Sequence, residues 1–445
     1  MQTASPRQDS RLVRLGAFLC ERLLGFLTPR RIWSYPLVSL VVLVAIAAYD
    51  RISGTGLISG PFGGDFLSFY TGGAFVRTGH ADKLIDLEAQ RAFQQQVLGA
   101  PTSAVSLWVS PPYFAYVFAP LSLLPYRAAF VVFVVLSALA LFATLGVFAR
   151  DLYPRSSASR LGFMALQYYP TFEWLLNGQM TGLWLTLYLW VFLLLRRERD
   201  GACGLVLGLL VCKPQLALGI AAALLGARRF RALFAALLSG GALLCLGFAT
   251  LPNAMFAYAK HGQSLVSLVR DPSYNTAGLH GSFEVATLLL DGASPRLALV
   301  AGVCLTLLLL FVIGAAWART DFEAGTRAFD LRMAATFALA VIASPHLYNY
   351  DLMLLMLPLF ISAARLSGAR GLPLDAGPLL CTTALVWALG LVGPALSVAQ
   401  QALSTRLLGF SAALQLGFLA IVVWAHLAWK TSLAEDPQRF KTNRL

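Results

Sequence analysis

Apolar runs recur along the whole length of this chain, and it lacks the charges to cover them with a water-facing surface. Only 12% of its 445 residues are charged, and 58% are hydrophobic. Soluble domains carry about 25% charged residues, so a soluble globule is excluded, and so is a soluble domain on a single anchor. A spanning helix needs about 20 apolar residues, and fewer where the bilayer thins. Such runs lie near 32–49, 126–149, 161–176, 179–195, 202–212, 215–226, 232–250, 294–318, 332–344, 351–366, 374–395 and 404–428. The expected fold is an all-α integral membrane bundle of about twelve transmembrane helices. Several runs are short, above all around Lys213-Pro214. Short spans beside polar residues predict helices that end in a water-filled cavity.

The net charge of +13 sits in short clusters between apolar runs. This is the pattern of membrane topology, not of a nucleic-acid surface. Arg7, Arg11, Arg14, Arg22, Arg30 and Arg31 precede the first run; Arg150, Arg155 and Arg160, then Arg196, Arg197 and Arg199, then Arg228, Arg229 and Arg231 follow alternate runs. Placing these clusters inside makes both termini cytoplasmic in an inner (plasma) membrane. Residues 1–31 become a cytoplasmic segment with an amphipathic helix over 11–27, and 429–445 a cytoplasmic tail. The long loops 50–125 and 251–293 then lie outside. In the first, the patterns at 66–78 and 84–98 predict juxtamembrane helices, and the apolar stretch 111–124 a helix on or dipping into the outer leaflet. The six cysteines show no metal spacing and read as small hydrophobes.

No Walker loop, dinucleotide fingerprint, His-Glu-x-x-His or Gly-x-Ser-x-Gly motif occurs. Any activated donor must be reached from the membrane or from outside. Polar clusters sit at the expected outer ends of spans. Asp65 follows two glycines and reads equally as a helix N-cap or as a general base at the membrane boundary. Asn177 and Gln179 flank Gly178. Lys213 interrupts an apolar run, where a charge is costly and points to function, and Gln215 follows it. Tyr274, Asn275 and His280 lie in the second long loop. His346, Tyr348, Asn349, Tyr350 and Asp351 form the last cluster. Sharing one side of the membrane, these residues are candidates for a single outer-leaflet cavity.

The order of these motifs resembles a known family. A Gly-Gly-Asp-Phe turn (Gly63 to Phe66) is followed by two surface helices. Then come Ser110-Pro111-Pro112-Tyr113 running to Leu123-Leu124-Pro125, Asn177-Gly178-Gln179, Lys213-Pro214 and His346-Leu347-Tyr348-Asn349-Tyr350-Asp351. Over residues 35–360 the chain resembles the polyprenol-phosphate-mannose-dependent mannosyltransferases of glycosyltransferase family 87, in the GT-C superfamily. The resemblance implies a GT-C bundle with a catalytic region over 32–366 and further transmembrane helices over 367–428. It implies a polyprenyl-phosphate sugar donor, with mannose the expected sugar, a lipid or glycan acceptor, and inversion at the outer (periplasmic) face. It maps the catalytic aspartate onto Asp65. Lys213 and His346 are then the first candidates to meet the donor phosphate, followed by Tyr348 and Gln215, with Asn177, Gln179, Asp351 and Asn275 as further substrate contacts. Neither a cofactor nor a metal is expected. The rival reading is a transporter or lipid flippase, which predicts repeat symmetry; the sequence shows none.

Overall fold

The structure is a computed structural model that describes residues 63–99, 105–153, 165–166, 168–269, 279–290, 294–318 and 323–366, with isolated positions between 37 and 52. The N-terminal segment 1–31, most of the first span, Tyr274 and Asn275, and the runs at 374–395 and 404–428 with the tail lie outside the described residues. What is described is helical except for one two-residue antiparallel ladder, β1 (Leu279–His280) with β2 (Leu347–Tyr348).

The first two helices are α1 (Phe66–Arg77) and α2 (Leu87–Leu98), close to the ranges expected. Asp86 caps α2 by accepting the Glu88 and Ala89 N–H groups at 3.0 and 3.1 Å, and Gly99 ends the helix at φ 68°. The stretch 111–124 differs from expectation. It forms two 3-10 turns, Pro112–Val117 and Leu121–Leu123, where one helix was expected. Its apolar side chains pack against α1. Phe118 stacks on Phe69 with ring centres 4.8 Å apart, and Gly72 and Gly73 leave room for Trp108 and the Phe118 backbone. The Tyr70 hydroxyl donates to the Leu124 carbonyl at 2.9 Å, closing the unit.

The remaining α-helices among the described residues are α3 (Tyr126–Leu152), α4 (Tyr169–Asn177), α5 (Thr181–Arg196), α6 (Asp200–Gly208, continued by a 3-10 turn to Cys212), α7 (Gln215–Gly226), α8 (Phe230–Thr250), α9 (Pro252–Val269), α10 (Ser282–Leu289), α11 (Pro295–Ala318), α12 (Arg327–Ala343) and α13 (Met356–Leu366), with α9 and α10 inside the stretch 251–293 expected as a loop. Three of them, α3, α8 and α11, are long and apolar enough to cross a membrane. At one end arginines meet buried or half-buried carboxylates. Arg197 pairs with Asp151 at 2.8 Å, joining α5 to α3; Arg196 pairs with Asp330 at 3.1 Å, joining α5 to α12; and Arg229 pairs with Asp200, joining the α7–α8 turn to α6. The opposite end gathers the polar clusters singled out in the sequence.

Asp330 has no exposed surface, and Arg196 is an ion-pair partner of its carboxylate. Breaking a buried pair leaves a charge stranded, at a cost of about 3–5 kcal/mol. Because Arg196 stays partly solvated, Arg196→Ala is the harsher change: it should lower the unfolding midpoint in detergent more than Asp330→Asn does.

Candidate active site

Two glycines set the site. Gly63 (φ 72°) and Gly178 (φ 65°) both adopt the left-handed conformation that favours glycine. A Cβ on Gly178 would fall 2.7 Å from both the Phe66 Cβ and the Phe130 ring, and one on Gly63 would strike the same ring. The Gly63-Gly64-Asp65 turn and the α4–α5 corner therefore close on Phe130 from two sides. Tyr126 at the start of α3 donates its hydroxyl to the Gly63 carbonyl at 2.8 Å.

Asp65 stands at the N-cap position of α1 but does not cap it. Its backbone is helical (φ −80°, ψ −29°), and its carboxylate accepts none of the free N–H groups. The Gln179 side chain instead acts on the carboxylate and favours its ionised form. The Gln179 Oε1 accepts the Met180 N–H at 3.3 Å, which turns the amide NH2 toward Asp65. Asp86 shows what the capping alternative looks like; Asp65 has been drawn into the site instead.

The second element is a helix break. Pro214 has no N–H to give and holds the residue before it extended, and Lys213 lies at φ −138°, ψ 67° between the 3-10 turn and α7. Its ammonium contacts both carboxylate oxygens of Asp351 at 2.7 Å. Asp351 is 1% exposed. It also accepts from the Thr181 hydroxyl at 3.2 Å and the Tyr348 N–H at 3.1 Å. The pair thus ties together the α6–α7 break, the start of α5 and the turn after α12.

The third element is that turn. The β1–β2 ladder brings the end of the second long loop onto residues 347–348. His280 Nε2 lies 2.5 Å from Asn349 Oδ1, and Asn349 Nδ2 donates to Glu173 Oε1 at 3.4 Å. The Tyr348 ring stacks on Tyr350 at 5.6 Å and meets His346 edge-on at 5.3 Å.

The electrostatics follow from burial. Burial pushes the Asp65 carboxyl up from its ordinary 3.8 to about 6; the Gln179 hydrogen bond opposes the rise, Asp351 adds to it, and Lys213 opposes it. The Tyr350 phenol is held well above its usual value by burial, with Asp65, Asp351, Tyr348 and Glu173 adding to the shift. Burial lowers His280 to about 4, against the Asn349 hydrogen bond and the Asp351 charge, so its imidazole is neutral near pH 7.

Asp65, Gln179, Lys213 and Asp351, far apart in sequence, come together in this arrangement. Tyr348 and His346 reach it through the row of rings ending at Tyr350. Among the described residues no side-chain hydrogen bond ties Asn177 or Gln215 to the cluster, and Asn275 lies outside the described residues. Glu173, Thr181 and Tyr126 were missed. Glu173 carried a signal, since it is a charge within the apolar run 161–176. Among the described residues no group of three or more His, Cys, Asp or Glu side chains could hold a metal ion.

The model of glycosyltransferase family 87 matches residues 108–345, over half the chain. No curated protein and no solved structure matches it significantly. The matched segment carries Gln179 and Lys213 but ends before His346 and begins after Asp65, so the link from Asp65 to the matched region is one of geometry.

Removing Lys213 alone strands the buried Asp351 carboxylate, so Lys213→Met should cost about 3–5 kcal/mol. Adding Asp351→Asn neutralises that charge and should restore most of the lost stability. Equal destabilisation of the single and double variants, by thermal unfolding in detergent, would remove the ion pair as the cause.

Proposed function

The chain belongs to glycosyltransferase family 87, and on that footing we propose that it moves a sugar from a polyprenyl-phosphate donor to a hydroxyl of a lipid or glycan acceptor, with Asp65 as general base. Mannose is the sugar we propose first, and a GT-C-type bundle in the inner membrane the setting, with the site at the outer face. The observation that carries this reading is Asp65: a carboxylate freed from capping, aimed by Gln179, and desolvated enough to raise its proton affinity to about 6. A base whose pKa lies near the working pH combines ionisation with proton affinity.

The step balances as follows. Asp65 takes the proton of the acceptor hydroxyl while that oxygen forms a bond to the anomeric carbon. The bond from the anomeric carbon to the phosphate oxygen breaks on the opposite face, and its electron pair leaves with the lipid phosphate. A β-linked donor then gives an α-linked product. The leaving phosphate gains negative charge and requires donors near it. Two contacts of the Lys213 ammonium go to Asp351, and an ammonium has three donors, so we assign its third to the phosphate. His346, at the end of the ring row, is the second candidate. The transporter reading gains nothing from the family assignment.

Purified protein in lipid, given radiolabelled polyprenyl-phosphate mannose and a membrane-lipid extract, should form a labelled product. Asp65→Asn should lose about 10²–10⁴-fold in turnover. Transfer by both proteins would remove Asp65 as the base. With Asp65 intact, kcat/KM should fall about tenfold per pH unit below pH 6 and level off above it; the residual activity of Asp65→Asn should lack that limb.

The same variant makes a stability prediction of opposite sign. Asp65 binds its proton more tightly folded (about 6) than at its ordinary value (3.8). Ionising it therefore costs the fold stability as pH rises from 3.8 through 6. Asp65→Asn removes that cost and should unfold at a higher temperature than the parent at pH 7, with the difference shrinking toward pH 4.

A further inference from the structure

We propose that Glu173 is a specificity-determining residue of this site, its carboxylate accepting hydrogen bonds from a hydroxyl of the transferred sugar. The inference rests on the glycosyltransferase reading above and goes beyond it to the recognition of the sugar.

The argument begins with position. Glu173 lies on α4, one and a half turns before the corner that presents Gln179 to Asp65. Its charge acts on the Tyr350 phenol, as do the charges of Asp65 and Asp351. Its contact with Asn349, the neighbour of Tyr350, sets Glu173 against the turn that carries Asp351, the partner of Lys213. Glu173 is half-buried, not sealed in the core. A carboxylate on an apolar helix carries a desolvation cost that a merely structural residue at this position would avoid.

The direction of the hydrogen bonds is the second point. The Asn349 Oδ1 faces His280 Nε2 at 2.5 Å and its Nδ2 faces Glu173 Oε1 at 3.4 Å. The reverse orientation of the amide would set its oxygen against the carboxylate. Since Oδ1 can only accept, the neutral imidazole of His280 must carry its proton on Nε2. Both donors in the chain then point one way, from His280 through Asn349 to Glu173. The Asn349 amide directed at its oxygen fixes the orientation of the Glu173 carboxylate. His280 and Asn349 are positioning residues in this scheme, because they act through Glu173. An ionised, oriented carboxylate accepts strongly from hydroxyls, and the hydroxyls of a hexose are the groups that a transferase of this class brings into the chamber.

The roles divide cleanly. Asp351 is neutralised by Lys213 and holds the fold; Asp65 is aimed by Gln179 at the acceptor; Glu173 is aimed by Asn349 at the sugar.

The test is a cycle between protein and substrate. Wild type and Glu173→Gln are compared on farnesyl-phosphate mannose and on its monodeoxy analogues, with binding of sugar-free farnesyl phosphate measured beside them. For wild type, removal of one particular hydroxyl should lower kcat/KM on the order of tenfold to a hundredfold, the effect of a hydrogen bond to a charged group. Glu173→Gln should be lowered by a similar factor on the full sugar and should be indifferent to loss of that same hydroxyl. Its affinity for sugar-free farnesyl phosphate should not change. Asn349→Asp, which puts a second carboxylate where the donor was, should lose the discrimination also. If Glu173→Gln keeps the full penalty for every deoxy sugar, or loses affinity for the sugar-free phosphate equally, the assignment is overturned while the transferase reading stands. If wild type transfers no sugar at all, the transferase reading fails and this inference falls with it.

Discussion

The contact between the Lys213 ammonium and the Asp351 carboxylate holds the site together. Three separate pieces of chain meet at it: the break between α6 and α7, the first turn of α5, and the turn that follows α12. Ion pairs in low dielectric recover little net energy once desolvation is counted, but they are severe about geometry, since either partner alone is worse than neither. Here the geometry they enforce is the register of β2 and the turn after it, and hence the places of Asn349 and Tyr350. The proline after Lys213 matters as much as the charge. An unbroken helix through 213–214 would satisfy its own backbone and turn the ammonium elsewhere.

A second constraint follows from that pair. Beside the Lys213–Asp351 pair, Asp65 and Glu173 each have an amide neighbour, Gln179 and Asn349. An amide donates without cancelling charge. Such a contact fixes a carboxylate's direction and leaves it able to accept further hydrogen bonds. The desolvated state of Asp65 is the cost of that arrangement, and it is the reason its proton affinity rises.

Much of this was legible in the sequence, and the residues show why. The apolar runs at 126–149, 232–250 and 294–318 correspond to α3, α8 and α11, the described helices long and apolar enough to cross a membrane, because hydrophobicity is a local property. Lys213 and Asp351 each stood out as charges beside apolar runs. Their pairing did not, since it spans residues 213 and 351 and depends on two turns. Asp65 was ambiguous for a physical reason: whether an aspartate at an N-cap position caps its helix depends on where the carboxylate turns, and here it caps none. The stretch 111–124 forms 3-10 turns where one helix was expected, with Phe114 and Phe118 buried and Val117 and Leu123 exposed, and an apolar run does not say which of its side chains turn inward. Glu173 was overlooked inside a run counted as a span, although a carboxylate there should have counted against a bland helix.

The brevity of α7 has a consequence for the lipid around it. Its twelve residues make about 18 Å of helix, against a hydrocarbon layer of about 30 Å, while its neighbour α8 runs for 21 residues and leaves Phe234, Leu237 and Leu238 exposed. Hydrophobic mismatch of that size is met by thinning the bilayer locally. The dimple would lie beside the Lys213 break. Headgroups there would sink toward the depth of the Lys213–Asp351 pair.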